Sequence, residues 1–282
     1  MVKAYSTENL IAICKEHQDQ YPMIFRDINF FLKEKNISDI PIEVTYSGFI
    51  KKDSIKLIEA EFFQQYLNSV PLDYILKNSN FYGYNFYVDE NVLIPRPETE
   101  LILDYVIDMG INNKTIIDAG TGSGCIGAVL SKVLTDSNIY AIDNNIKAID
   151  IAQYNFNKLD CKNIQTVLSD WLSSFEANSI DIIVSNPPYI KADDPHLDEL
   201  HYEPKGALIG GKNGLIHFDR IFFDAKRCLR PDGYLIFEHG FDQQEQIISL
   251  SKKYLFNLVA PINDLQGHNR GLVFKKLIQF SL

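Results

Sequence analysis

From Lys114 onward the apolar positions alternate between two periods. Short aliphatic or β-branched runs at residues 115–118, 139–142, 164–168, 181–185, 234–237, 255–260 and 272–275 read as strands. Between them the spacing is helical: Ile126, Val129, Leu130, Val133 and Leu134, then Ile146, Ile149, Ala152, Phe156 and Leu159, then Phe218, Ile221, Phe222, Ala225 and Leu229. A further helix is predicted from Gln243. Alternation of this kind predicts an α/β domain: a seven-stranded, mostly parallel sheet covered by helices on both faces, whose two closing strands allow one antiparallel member.

Upstream the pattern is helical and carries no glycine-rich motif. Ser6 is placed to cap a helix bearing Leu10, Ile13, Cys14 and His17, and Pro22 suits the first position of a second with Ile24, Phe25, Ile28, Phe31 and Leu32. A third helix is predicted from Asp53, with Ile55, Ile58, Phe62 and Tyr66 on one face, and a final turn at residues 71–76; residues 37–50 show no decisive period. Residues 81–88 are aromatic and β-prone, and Asp89-Glu90-Asn91 is a turn signal, which together predict a hairpin. Pro95-Arg96-Pro97-Glu98-Thr99-Glu100 then opens a helix with Leu101, Ile102, Tyr105, Val106 and Met109 inward and Gly110 at its end. The expected organisation is a helical substrate-recognition domain over residues 1–80, a hairpin linker over 81–96 and the α/β domain over 97–282.

Composition narrows the partners. At 282 residues and 46% hydrophobic the chain builds a full core, and a net charge of −10 argues against long phosphate-backbone contacts, so no direct nucleic-acid partner is expected. Cys14, Cys125, Cys161 and Cys228 form no Cys-x-x-Cys pair and the six histidines form no metal-binding pattern, which points to reduced thiols, no metal and a cytoplasmic location. No apolar run approaches the ~18–20 residues that span a bilayer, and the first nine residues lack a signal-peptide core, so no membrane is expected.

Two stretches carry the chemistry. Asp118-Ala-Gly120-Thr121-Gly122-Ser123-Gly124 follows the first strand and precedes a helix, where glycines let the backbone turn sharply and approach a ligand. Asp143, ending the next strand, suits two ribose hydroxyls; Asp170 suits an adenine amino group, and Trp171 a ring stack, with core filler the alternative for the indole. Gly122, Gly124 and Gly127 also satisfy the dinucleotide pattern, and a glycine turn without ligand is a further alternative. The second stretch, Asn186-Pro187-Pro188-Tyr189, caps the strand at 181–185. Two prolines cannot extend a ladder, so a carboxamide, exposed carbonyls and a ring are held still at the carboxyl end of a parallel strand.

With Gly120-Thr-Gly-Ser-Gly124, Asp143 and Asn186-Pro-Pro-Tyr189, the chain resembles the class I S-adenosylmethionine methyltransferases that modify nitrogen. Ile94-Pro-Arg-Pro-Glu-Thr-Glu100, Ser169-Asp-Trp171, Pro195-His-Leu197, Glu203-Pro204 and Glu238-His-Gly240 extend the resemblance to the release factor glutamine methyltransferase family over residues 70 to 276. Lys77-Asn78, where that family commonly has a glycine after Tyr-Ile-Leu, departs from it. The resemblance implies a Rossmann-like methyltransferase sheet and S-adenosyl-L-methionine as cofactor, held by Gly120, Thr121, Gly122, Ser123, Gly124, Asp143, Asp170, Trp171 and Asn186. It implies class 1 peptide chain release factors as partners, methylated on the glutamine of their Gly-Gly-Gln loop.

Asn186, Pro187 and Tyr189 are then the expected catalytic residues, with Pro188 beside them in the substrate site. An amide nitrogen is a poor nucleophile, so positioning must help: the Asn186 oxygen and the Pro187 carbonyl each accept an N–H, Tyr189 packs on the amide plane, and the proton leaves with or after transfer. The alternatives are a cap for Asn186, packing for Tyr189, helix capping for Glu98, Thr99 and Glu100, and a structural role for Glu238. His196, His201, His217 and His239 read as surface or loop residues and Cys125 as packing at a helix start. The long polar stretch 191–214 is expected to contact the partner protein. Rival functions are methylation of a ribosomal protein glutamine, methylation of a nucleic-acid base amine, and a cofactor-binding module without catalysis.

Overall fold

A computed structural model describes residues 6–44 and 50–277. The chain divides into two compact units, Met1–Asn78 and Ser79–Leu282. The first five residues, where no signal-peptide core was expected, and residues 45–49 of the stretch without decisive period lie outside those described.

The first unit is helical. Ser6 caps Thr7–His17 by accepting from Asn9 N at 3.3 Å. The second helix, Ile24–Glu34, starts two residues beyond Pro22, with Met23 as its cap. Lys52–Leu57, Ile58–Phe63 and Gln64–Tyr66 form one helical run with a π turn in the middle. Leu10, Ile28, Phe31, Ile58 and Phe62 make its core, and buried Asp27 accepts from the Tyr66 hydroxyl at 2.6 Å. Leu72–Leu76 ends on Lys77 at φ 56, the left-handed position that a glycine fills without strain.

The second unit holds the sheet: β1 (Thr115–Ala119), β2 (Asn138–Asp143), β3 (Ile164–Leu168), β4 (Ile180–Ser185), β5 (Leu229–Glu238), β6 (Phe256–Asn263) and β7 (Asn269–Lys276). Their order is β3-β2-β1-β4-β5-β7-β6, and β7 runs antiparallel to both its neighbours. Helices α1 (Glu100–Asp108), α2 (Cys125–Val133) and α3 (Ile146–Lys158) bury Ile102, Ile126, Val129 and Phe156 against one face. Helices α4 (Ile216–Cys228) and α5 (Gln244–Lys253) bury Phe218, Phe222 and Ile247 against the other. Alternate residues of β1 and β4 serve the two faces: Ile116 and Ile182 the first, Ile117 and Ile183 the second. Strand order reverses between β1 and β4, which pair in parallel with Asp118 opposite Val184. That crevice is where open parallel sheets bind ligands.

The hairpin differs from expectation in two respects. Ser79–Phe81 pairs with Tyr84–Phe86, so its turn is Tyr82-Gly83, at φ 51 and 76, rather than Asp89-Glu90-Asn91. Both central residues with positive φ match the twist of a two-residue hairpin. It also lies within the second unit rather than between domains, because Phe81 and Phe86 are buried in the α1 side of its core. Asp89 makes a separate turn, its carboxylate accepting from Asn91 N at 2.9 Å.

Candidate active site

The carboxyl ends of β1, β2 and β4 open into a cavity of about 540 Å³, within the ~300–1,000 Å³ usual for small-molecule sites. Gly120, Gly122, Asp143, Trp171, Asn186 and Pro188 all line it. The glycine turn and the proline-bound tip, separated by more than sixty residues of sequence, thus face one space.

The glycine turn is shaped by backbone sterics. Gly120, Gly122 and Gly124 sit at φ 77, 53 and 85. At Gly124 a Cβ would lie 2.7 Å from the Phe156 ring, so only glycine lets the turn close onto α3. Asp118 braces the turn: its Oδ2 accepts from Thr121 Oγ1 at 2.6 Å and from Gly127 N at 2.9 Å. Its Oδ1 is buried without a hydrogen-bond partner, and burial pushes the carboxyl up to about 7. Asp143 accepts from Gly122 N at 3.1 Å and from Asn145 N at 2.9 Å. These backbone donors oppose a rise in its pKa that burial causes.

The tip is held from behind. Ser185 Oγ donates to Ala119 O at 2.6 Å, tying the ends of β4 and β1 together. Asn186 Nδ2 donates to Thr99 Oγ1 at 3.1 Å, and the Thr99 hydroxyl donates in turn to Glu238 Oε2. The Tyr189 hydroxyl donates to Glu238 Oε1 at 3.3 Å. Glu238 is 2% exposed, and burial pushes it up to about 7. Gln243 Nε2 donates to Tyr189 O at 3.0 Å, and Ile190 exchanges backbone hydrogen bonds with Leu208 and Gly210. A Cβ on Gly210 would meet the Pro188 carbonyl at 2.7 Å, and one on Gly214 would collide with the Tyr189 carbonyl.

Several expected residues stand elsewhere than the sequence placed them. Thr121 and Ser123 are buried and do not line the cavity; Thr121 braces Asp118. Asp170 also stays out of the lining: its carboxylate is 63% exposed and faces Arg220 at 3.5 Å, whereas the neighbouring Trp171, at φ 48, lines the cavity. Tyr189 packs against the α4 side of the core with its hydroxyl on Glu238, and neither it nor buried Pro187 is part of the lining. His196 and His201 are exposed as expected. His217 is instead half-buried on α4, in the cavity wall beside Trp171 with ring centroids 5.4 Å apart, and burial lowers its pKa. His239 is buried.

The second half of the 191–214 stretch is part of the site rather than a free loop. Pro204, Lys205, Gly206 and Ala207 form one wall of the cavity, and Asn91, Val92 and Leu93 another. Buried Glu203 clamps the two, accepting from Ile94 N at 3.1 Å and pairing with Arg96. Asn155, missed by the sequence reading, ties Ser123 O at 2.8 Å to Tyr87 O at 2.9 Å. A polar residue beside the buried stripe of α3 was the signal that would have found it. Among the described residues no cluster could hold a metal ion, and no helix is long and apolar enough to cross a membrane.

The profile of the methyltransferase small domain family matches residues 97–201. The chain is 34% identical over 243 residues to the release factor glutamine methyltransferase of Buchnera aphidicola subsp. Acyrthosiphon pisum, which covers 82% of this chain and 87% of that protein. It is 34% identical over 241 residues to the bifunctional methyltransferase of Rickettsia conorii, covering 75% of this chain and 46% of that longer protein. Among solved structures it is similar in fold to a methyltransferase from Pyrococcus furiosus, with a TM-score of 0.52 at 15% identity, covering 79% of this chain and all of that one.

Proposed function

The chain belongs to the release factor glutamine methyltransferase family, and on that premise we propose how its own residues transfer a methyl group from S-adenosylmethionine to the side-chain nitrogen of a release-factor glutamine. The observation that carries the reading is the shared cavity: the Asn186 carboxamide opens into the same space as the glycine turn and Asp143.

The residues present fit the cofactor. Asp143 offers a carboxylate at the cavity to ribose hydroxyls, and Trp171 an aromatic wall. Asp118, buried and outside the cavity lining, braces the glycine turn from behind. When bound, S-adenosylmethionine supplies an electrophilic methyl on a sulfonium. The chain supplies orientation. The Asn186 oxygen accepts an N–H of the glutamine amide at the cavity and aims its nitrogen; a well-held geometry of this kind is worth ~7–11 kcal/mol. Walls at residues 91–93 and 204–207 restrict water around the reacting pair. The glutamine is that of the Gly-Gly-Gln loop of class 1 release factors, and the exposed residues Asp193, Pro195, His196, Asp198 and Glu199 meet the partner protein.

The test is incubation with labelled S-adenosylmethionine and, separately, release factor, ribosomal protein and DNA. Label is expected on release factor alone, at its Gly-Gly-Gln glutamine. Label on ribosomal protein or DNA instead overturns the substrate assignment. Asn186→Ala is expected to lower kcat about 10²–10³-fold, the scale of removing one catalytic hydrogen-bond partner, while S-adenosylhomocysteine still binds.

A further inference from the structure

Behind the cavity wall stand two buried groups to which the proposed reading gives no task, Thr99 and Glu238, each 2% exposed. Neither lines the cavity. They complete one chain of hydrogen bonds: Asn186 Nδ2 to Thr99 Oγ1 at 3.1 Å, Thr99 Oγ1 to Glu238 Oε2, and Tyr189 hydroxyl to Glu238 Oε1 at 3.3 Å.

Donor inventory fixes the direction of that chain. A carboxylate only accepts, so the single Thr99 proton points to Glu238 and its lone pairs face Asn186. Only the NH₂ end of the Asn186 carboxamide can answer them. The two ends of a carboxamide are nearly the same shape, so packing alone does not choose between them; the hydrogen-bond network does. The choice matters because a primary amide substrate presents two donors. A reversed Asn186 would set NH₂ against NH₂.

We propose that Thr99 and Glu238 are positioning residues that lock the Asn186 carboxamide with its oxygen toward the cavity, so that the site presents an acceptor to the substrate amide. The proposal rests on the glutamine-methylating reading and deepens it. Protonation of Glu238 undoes the lock: a carboxylic acid donates to Thr99 Oγ1, the Thr99 proton turns toward Asn186, and the carboxamide reverses. Four groups from the packed elements face Glu238: Glu98 ahead of α1 and Cys125 at the start of α2, with Arg270 of β7 and Tyr189 of the tip. Desolvation and Glu98 raise its pKa; the Thr99 and Tyr189 hydrogen bonds and Arg270 lower it, and the balance puts the transition at about 7.

The experiment compares Thr99→Val, which keeps the shape and removes the hydroxyl, with Thr99→Ser, which keeps the hydroxyl. With full-length release factor, Thr99→Val is expected to lower kcat by about tenfold or more, the scale of one hydrogen bond misdirected at a reacting group. KM for release factor and Kd for S-adenosylhomocysteine stay near wild type, Thr99→Ser restores kcat, and the acid limb of the wild-type pH profile is missing from Thr99→Val. Wild-type kcat in Thr99→Val, an equal loss in Thr99→Ser, or a parallel loss of S-adenosylhomocysteine binding overturns the proposal. Should Thr99→Val fail to fold, Glu238→Gln takes its place, and an acid limb that persists in it overturns the lock. Proton exchange at the Asn186 carboxamide, followed by NMR with isotope-labelled asparagine, reads the lock without turnover. Slow exchange in wild type and fast exchange in Thr99→Val support it; equal exchange overturns it. Absence of methylation by the wild-type protein overturns the function and leaves this measurement to decide the lock.

Discussion

The two sides of the cavity are held by different means. On the glycine side the partners are close in sequence: Thr121 reaches Asp118 across 3 residues, Gly127 reaches Asp118 across 9, and Gly122 reaches Asp143 across 21. On the tip side they are remote: Asn186 to Thr99 spans 87 residues, Tyr189 to Glu238 spans 49, and Ile94 to Glu203 spans 109. The glycine turn is held mostly by partners from its own strand–turn–helix unit and the strand and helix that follow it. The proline-bound tip is an assembly of four chain segments, and its geometry exists only once the sheet has closed. Each side nevertheless stores one buried carboxyl raised to about 7, Asp118 and Glu238.

The largest effects are expected at the glycines. Gly124→Ala and Gly214→Ala both force a side chain into positive φ and into a filled space, and each is expected to cost about 2–4 kcal/mol of stability. They should part in function. Gly124→Ala weakens S-adenosylhomocysteine binding in calorimetry, whereas Gly214→Ala lowers kcat and spares that binding. Matching losses would mean that the two sides are one mechanical unit.

The pH dependence of stability is the next largest effect. Both carboxyls have folded values above their ordinary ones, 3.8 for Asp118 and 4.5 for Glu238. The folded state therefore holds these protons where the unfolded state has released them. Their contribution is fully present below those ordinary values and is lost as pH rises through about 7. Denaturant midpoints of the cofactor-free protein should fall across that window, and Asp118→Asn and Glu238→Gln should each flatten part of the fall. Midpoints that rise with pH in both variants as in wild type would contradict the burial of these groups.

Smaller effects sharpen the cofactor side. Asp143→Asn keeps the shape but loses the charge facing Gly122 N and Asn145 N, and should weaken S-adenosylhomocysteine about tenfold, the scale of one charge-assisted hydrogen bond. Asp170→Asn should change the same constant by less than about twofold, as surface substitutions away from a site do, since its carboxylate is exposed and turned to Arg220.

The strands, the helices of the second unit and the glycine turn were legible in the chain because each is written in a short window: a period of two or 3.6, a glycine where φ must be positive, an acidic residue ending an apolar run. Glu238 carried that last signal too, closing Tyr234-Leu-Ile-Phe237 as Asp143 closes its own strand. Its partners did not. Nothing local to Thr99 announces Asn186, and nothing local to Gly214 announces the Tyr189 carbonyl. Asp170 and Trp171 are adjacent and were both expected at the cavity, yet only Trp171 lines it.

The amino-acid order alone determined which segments form the sheet and where its polar ends fall, because secondary structure and strand-end chemistry depend on neighbours along the chain. Which polar end faces which, which way the Asn186 carboxamide turns, and which carboxyls are buried were decided only by tertiary structure. Those properties depend on hydrogen-bond partners and on exclusion of water, and both are supplied by residues far away in sequence.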